Sequence, residues 1–161
     1  MKKIRTILKI AIVLIVSITL QSCSSNDESD VQNPETYIRF TINDTNYEFK
    51  DIITAESTSI TLNGNNGEGF SNAGDTQIAL WLPLALSNGT FEVEGGFSAD
   101  YQIAFTSNSL AFDFDFANSG TITVTKSTGE YIEGTFSASI TNDDDVTITL
   151  TNGAFKAFGI E

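Results

Sequence analysis

The sequence lacks histidine altogether and contains a single cysteine among its 161 residues. Without histidine, the chain has no imidazole to act as a general base, to complete a Ser-His-Asp triad or to ligate zinc or haem. A single cysteine also excludes an internal disulfide and a metal site built from paired thiolates. These two absences remove several common catalytic and metal-binding arrangements.

Basic residues are also scarce, because eight Lys and Arg face 21 Asp and Glu, which gives a formal net charge of −13. Four of the eight, Lys2, Lys3, Arg5 and Lys9, lie at the very start of the chain. The remainder therefore repels phosphate backbones and lacks the basic patch that nucleic-acid binding requires. We expect no nucleic-acid partner.

An apolar stretch follows this basic start and runs from Ile10 to Leu20. As a helix it would rise about 16 Å, which is about half of a hydrocarbon core and too short for a stable span. The combination of a basic start and a short apolar run predicts a secretory signal peptide over residues 1–22.

The end of this segment, with Leu20, Ser22 and Cys23, resembles the lipobox of bacterial lipoproteins. The resemblance implies cleavage between Ser22 and Cys23 and lipidation of the cysteine. Acyl chains contribute about 0.8 kcal/mol per buried CH₂, so several chains would anchor the protein stably. Membrane contact would then need only the lipid at Cys23. The alternative is a plain secretory signal with an incidental cysteine.

Residues 23–35 are polar, acidic and almost free of large apolar side chains, which predicts a flexible tether. Asp27, Glu28 and Asp30 resemble the export signal that sends lipoproteins of Bacteroidota to the outer leaflet of the outer membrane. The resemblance implies an outer-membrane lipoprotein and favours the cell surface over the periplasmic face. The alternative is that the acidic segment is only a solvated spacer.

From residue 36 onward the apolar residues recur with period two, as in the run 37–42 and its return 47–50. Asn and Gly separate the runs. The pattern predicts one all-β domain over residues 36–161, an antiparallel β-sandwich or barrel-like domain of about ten short strands. The other predicted strands are 58–62, 77–82, 90–94, 101–106, 111–116, 120–125, 131–140, 146–150 and 154–158.

The C-terminal strands carry a recognisable pattern. An aromatic residue, Tyr131, precedes Gly134-Thr135-Phe136-Ser137, and Asn152-Gly153-Ala154-Phe155 closes the pattern. These motifs resemble a family of small all-β lipoproteins from Bacteroidota. The resemblance implies a β-rich lipoprotein of the cell surface or periplasm, and it carries over no catalytic residue.

The run 78–86 is apolar on both faces and contains the only tryptophan, Trp81. Such a run favours a central strand that is covered on both sides. The alternative places Trp81 on a surface that faces a ligand. Together with Tyr37 and Tyr101, it would then be a candidate contact for a glycan, because sugars stack on exposed aromatic rings in shallow grooves.

Two acidic clusters are weak candidates for chemistry. Asp143, Asp144 and Asp145 form a weak Ca²⁺ candidate, and a solvated hairpin turn is the favoured explanation for them. The run 112–116 alternates Phe and Asp, which predicts three rings on one face and two carboxylates on the other. The two carboxylates could serve a glycosidase, or they could simply keep the outer face of a strand wet.

The sequence therefore predicts a lipid-anchored domain with a non-catalytic binding or structural role, and we expect neither an enzyme nor a cofactor. A glycan-binding module of a surface polysaccharide system is the main alternative, and a carboxylate-based glycosidase is a less favoured one. The expected partners are the membrane, through the lipid at Cys23 only, and a glycan or a surface protein.

Overall fold

The computed structural model describes residues 35–96 and 99–159, which belong to one compact unit. The predicted signal peptide, lipidation site and export signal lie outside the described residues. Within them the protein is all-β, with two short 3₁₀ turns, and no helix in this part is long and apolar enough to cross a membrane. The strands are β1 (Tyr37–Ile42), β2 (Thr45–Lys50), β3 (Ile53–Glu56), β4 (Ile60–Asn65), β5 (Thr76–Leu82), β6 (Gly89–Glu92), β7 (Gln102–Ser107), β8 (Phe112–Ser127), β9 (Tyr131–Thr141) and β10 (Thr147–Phe158).

The ten strands form a single antiparallel sheet in the order β2-β1-β10-β9-β8-β7-β5-β4-β3, with β6 paired to β8. The sheet curls into a half-barrel, so the barrel-like prediction describes it better than a two-layered sandwich. Near its ends, the Thr54 hydroxyl on β3 donates to the carbonyl oxygen of Phe158 on β10 at 3.1 Å. This contact joins one edge strand to the third strand from the opposite edge.

The first hairpin follows the sequence pattern closely. Ile38, Phe40 and Ile42 are buried on the inner face, as their period-two spacing predicts. The connection is a two-residue turn in which Asn43 and Asp44 have φ of 47° and 64°. Both central residues are left-handed in the hairpin turn that best matches strand twist, and Asn and Asp tolerate this conformation.

Phenylalanine supplies much of the core. The Phe40 ring lies 5.8 to 6.1 Å from the rings of Phe49, Phe105 and Phe136, and the pairs with Phe49 and Phe105 meet edge to face. Gly134 permits close approach within this core, because a Cβ there would collide with the Thr123 carbonyl oxygen and the ring of the buried Phe155. The Gly in the Gly-Thr-Phe-Ser motif therefore has a packing role.

Two of the predicted turns are bulges inside long strands. The predicted strands 111–116 and 120–125 merge into β8, and the predicted strands 146–150 and 154–158 merge into β10. The pairing register shifts between Leu150 and Gly153, where Asn152 has a φ of 53°. Bulges and turns use the same left-handed residues, so Asn-Gly did not distinguish them here. The short strand β3 was not predicted.

Asp75 ties two turns together at one end of the sheet. Its carboxylate accepts hydrogen bonds from the Ser109 hydroxyl at 2.7 Å, the Thr76 hydroxyl at 2.9 Å and the Ser109 backbone N–H at 3.0 Å. These donors favour the charged form, and the Ser109 hydroxyl contributes most to lowering the pKa of Asp75 below its usual 3.8.

This lowered pKa predicts a pH-dependent effect of the Asp75→Asn substitution. The folded state holds the carboxylate more strongly than the unfolded state does, so its stabilisation is present at neutral pH. This stabilisation is lost as the pH falls from about 4 through the lowered pKa of Asp75 in the folded state. Thermal melts should show the variant less stable than the wild type at pH 7, with the difference shrinking toward pH 2. A stability difference that stays constant over this range would contradict the prediction. In a Ser109→Ala background, the Asp75→Asn substitution should have a smaller pH-dependent effect.

Candidate ligand-binding face

A bulge in β8 divides the alternating Phe–Asp run between the two faces of the sheet. The β7–β8 register shifts so that Ser107 pairs with Phe112 whereas Phe105 pairs with Asp115, and Phe114 has a φ of 58°. Phe112 therefore packs in the core, 2 % exposed and edge to face with Phe105, whereas Phe114 is 46 % exposed. The prediction of three rings on one face is wrong, because the extra residue of the bulge reverses the alternation.

The rings that the bulge redirects meet the only tryptophan. Centroid distances are 5.9 Å from Trp81 to Phe114, 5.6 Å from Trp81 to Phe116 and 5.4 Å between the two phenylalanines. Two of the three contacts are edge to face, a geometry that stabilises aromatic pairs by about 0.5–1.5 kcal/mol beyond burial. We call these three side chains the aromatic cluster.

Strand β5 is not covered on both sides at Trp81. Ile78, Leu80 and Leu82 point inward and are almost completely buried, whereas Trp81 on the opposite face is only partly buried. The prediction of a core position for Trp81 is therefore wrong. Trp81 lies on the outward side of the sheet, as the alternative interpretation has it. Its neighbours in the cluster cover part of the ring and leave the rest accessible.

The cluster borders an uncharged surface formed by the outward residues of β4, β5 and β7. Pairing arranges these residues in three rows across the strands. We call this surface the outer face. The first row contains Thr61, Trp81 and Gln102, the second Asn63, Ala79 and Ala104, and the third Asn65, Gln77 and Thr106. None of the nine is charged, in a chain with 21 acidic residues, and four of them are amides.

The other half of the sheet, by contrast, carries paired charges on its outward side. Glu133 on β9 lies 3.5 Å from the Lys156 ammonium and 3.8 Å from that of Lys126. The Lys156 ammonium also lies 4.8 Å from the centre of the Tyr131 ring. The two sides of the curled sheet thus differ chemically, and only the outer face of β4, β5 and β7 combines aromatic and amide groups without charge.

A cleft of about 520 Å³ opens beside Trp81 at one end of the outer face. We call it the Trp81 cleft. Its lining contains the Trp81 ring, the Gln102 amide, the exposed Asp100 carboxylate and several hydroxyl groups. The hydroxyl groups belong to Ser57, Thr58, Ser59 and Thr61.

Gln102 has an unusual position in this cleft. The residue is 3 % exposed, and among the described residues its amide nitrogen Nε2 has no hydrogen-bond partner. A buried donor without an acceptor costs about 1–3 kcal/mol, so such groups are rare in folded proteins. The nitrogen is buried in this conformation, so a ligand in the cleft would accept from it only after the Gln102 side chain turned toward the cleft.

A second, smaller depression of about 50 Å³ covers the other two rows of the outer face. Asn63, Asn65 and Gln77 contribute amides to it, and Phe70 and Phe114 contribute rings. Phe70 lies in the 3₁₀ turn Phe70–Asn72 and is 64 % exposed. The two depressions therefore share strands β4, β5 and β7, and each contains an aromatic ring that is at least partly exposed.

The structure does not bring the other two predicted aromatic contacts to this face. Tyr101 is buried in the core and stacks on Phe91 at a centroid distance of 4.1 Å, and burial raises the pKa of its hydroxyl. Its burial removes Tyr101 from the candidate contacts. Tyr37 lies on β1, which is separated from β5 by four strands of the sheet, with the Arg39 guanidinium 4.9 Å from its ring centre.

The acidic clusters adopt local structures. Asp115 accepts a hydrogen bond from the Asp113 backbone N–H at 2.9 Å, and both residues flank the bulge. Asp143, Asp144 and Asp145 lie in the β9–β10 turn, where the Asn142 side chain accepts from the Val146 N–H and donates to the Ala111 carbonyl. In the described ranges, no group of three or more acidic or thiol side chains converges to hold a metal ion.

Sequence reasoning did not identify Gln102, Phe114, Phe116 or Phe70 as site residues. Alternation alone places Gln77 and Trp81 on one face of β5, but it gives no information on which strands pair beside them. Comparisons with known proteins add no assignment, since no protein-family model, curated protein or solved structure matches the chain.

Proposed function

We propose that this protein is a lipid-anchored, non-catalytic domain that binds a polysaccharide at the Trp81 cleft. The observation that carries the proposal is the pairing of an accessible tryptophan with a buried amide donor that lacks an acceptor. Ligand sites typically combine an apolar or aromatic wall with a few polar groups that fix orientation. Sugar rings offer both an apolar C–H face for Trp81 and hydroxyl oxygens for Gln102.

The composition of the cleft supports binding rather than hydrolysis. Glycoside hydrolysis generally uses two carboxyl groups on either side of the scissile bond, and a catalytic acid needs burial to raise its pKa. Asp100 is the only carboxylate among the residues that line the cleft, and it is exposed. A single solvated carboxylate can accept hydrogen bonds from hydroxyl groups but does not provide this catalytic arrangement.

The sequence supplies the expected location. The lipobox-like segment ending at Cys23 supports lipid anchoring at the outer membrane, and the acidic residues Asp27, Glu28 and Asp30 support export to the cell surface. A tether of about twelve residues reaches at most about 40 Å when extended. A domain held at this distance from the bilayer would meet polysaccharides at the cell surface.

The single tryptophan makes the proposed binding directly measurable. The full chain in detergent would be titrated with neutral polysaccharides (dextran, xylan and mannan) and anionic ones (alginate and heparin), with Trp81 emission as the signal. We expect a saturable change with at least one of them. No saturable change with any of the five polysaccharides would overturn the proposal.

A matched variant separates binding from folding in this experiment. Gln102→Met preserves side-chain length and removes the buried donor, so the melting temperature should stay the same or rise. The affinity for the polysaccharide should nevertheless fall, because the ligand acceptor loses its partner. An unchanged affinity would remove Gln102 from the site.

A further inference from the structure

We infer that the ligand is a neutral glycan chain that lies along the whole outer face, from the Trp81 cleft to Phe70. This inference rests on the proposed function and extends it to the class and length of the ligand. It follows from the combined length of the two depressions, from the shape of the surface that they share and from its lack of charge.

The two depressions adjoin, since Ala79 in the second is two residues from Trp81 in the first, but together they are too long for one sugar ring. Trp81 borders the first and Gln77 the second, and they are four residues apart on β5. At about 3.3 Å per residue this separation is about 13 Å. A ligand that contacts both ends must therefore be an extended chain of several sugar units rather than a monosaccharide.

The surface shared by the depressions is continuous. Ala79 and Ala104 are paired neighbours in the middle row, but they are only 8 % and 2 % exposed, so larger neighbouring side chains cover them. The rings of Trp81 on β5 and Phe116 on β8 meet across β7, with centroids 5.6 Å apart, and Asn63 stands on β4 at the other side. The result is a strip with an aromatic platform on one side and amides on the other.

The absence of charged side chains on the outer face favours a neutral glycan. The outer face offers amides and hydroxyls, which both donate and accept hydrogen bonds, but no cation to pair with a sulfate or carboxylate. The acidic surface of the remaining domain repels anionic polymers. A neutral glycan carries no such penalty, and its hydroxyls match the amides of Asn63, Asn65 and Gln77.

A peptide is a poorer fit for the same surface. Extended peptides bind sheets mainly by adding a strand at an open edge. Strands β4, β5 and β7 are each paired on both sides, so their backbone groups are already used. Only side chains remain for recognition on this face, and they suit a ligand rich in hydroxyl groups.

Two comparisons test the inference, namely short against long oligosaccharides and the wild type against the Phe70→Ala variant. The full chain would be titrated by isothermal calorimetry with disaccharides and hexasaccharides of the cello-, malto- and xylo- series. For the series that binds, we expect the hexasaccharide to bind about tenfold more tightly than the disaccharide, equivalent to about 1.4 kcal/mol. Phe70→Ala should abolish this gain and leave disaccharide binding unchanged. Phe158→Ala, which removes an exposed ring elsewhere, should retain it.

The possible results separate this inference from the proposed function. Equal affinity for both lengths would overturn the extended site while leaving binding at the Trp81 cleft intact. Binding of alginate or heparin without any neutral glycan would overturn the choice of a neutral ligand but not the proposed function. A length effect that persists in Phe70→Ala would remove the second depression from the site.

Discussion

Replacing Trp81 with alanine is expected to weaken polysaccharide binding at least about thirtyfold, equivalent to about 2 kcal/mol. The ring supplies most of the aromatic surface of the cleft, and Phe114 and Phe116 hold it in place. A ring fixed before binding loses little conformational entropy when the ligand arrives, so most of its contact energy appears as affinity. Calorimetry is the suitable measurement, because the variant lacks the fluorescent residue.

Two controls make this result interpretable. Tyr37→Ala removes a partly exposed ring on β1 and should bind as tightly as the wild type, because it is remote from the outer face. The melting temperature of Trp81→Ala should confirm that the variant is folded, because the inner-face core does not include Trp81. A folded Trp81→Ala protein with wild-type affinity would show that binding occurs elsewhere.

Replacing Cys23 with alanine is expected to abolish lipid attachment, and to move the protein from the membrane fraction to the soluble fraction once the signal peptide over residues 1–22 is removed. Lipid attachment requires the cysteine thiol, and the residues after it contain no apolar segment that could replace the anchor. Loss of several acyl chains, at about 0.8 kcal/mol per buried CH₂, removes effectively all membrane affinity. Fractionation and metabolic labelling with a palmitate analogue would measure both effects. A variant that stays in the membrane and is still labelled would contradict lipidation at this position.

Protease treatment of intact cells then decides between the two sides of the outer membrane. Cleavage of the wild type without permeabilisation would place the domain at the surface. Replacement of Asp27, Glu28 and Asp30 by their amides should then protect it, because the export signal depends on acidic residues. Equal cleavage of wild type and variant would leave the acidic segment as a spacer only.

The local features of the fold follow from the sequence because they depend on neighbours along the chain. Alternation identifies the inward residues of β1, and the Asn43-Asp44 turn sets the register of its hairpin. The interpretation fails at Asn152, where a left-handed residue makes a bulge instead of the predicted turn, and at Phe114, where a bulge breaks the predicted alternation. Whether such a residue ends a strand or bends it depends on the partner strand, which is remote in sequence.

The candidate site depends almost entirely on such remote pairings. Trp81 stands out in the sequence as the only tryptophan, but Gln102 becomes its neighbour only through the register of β5 and β7. Phe114 and Phe116 reach Trp81 only because the β8 bulge turns them away from Phe112. The sequence by itself determined the charge balance, the predicted anchor and the all-β class, since these follow from composition and short-range periodicity. The tertiary structure alone decided which side chains share the outer face, since strand order and bulge position arise from packing between distant segments.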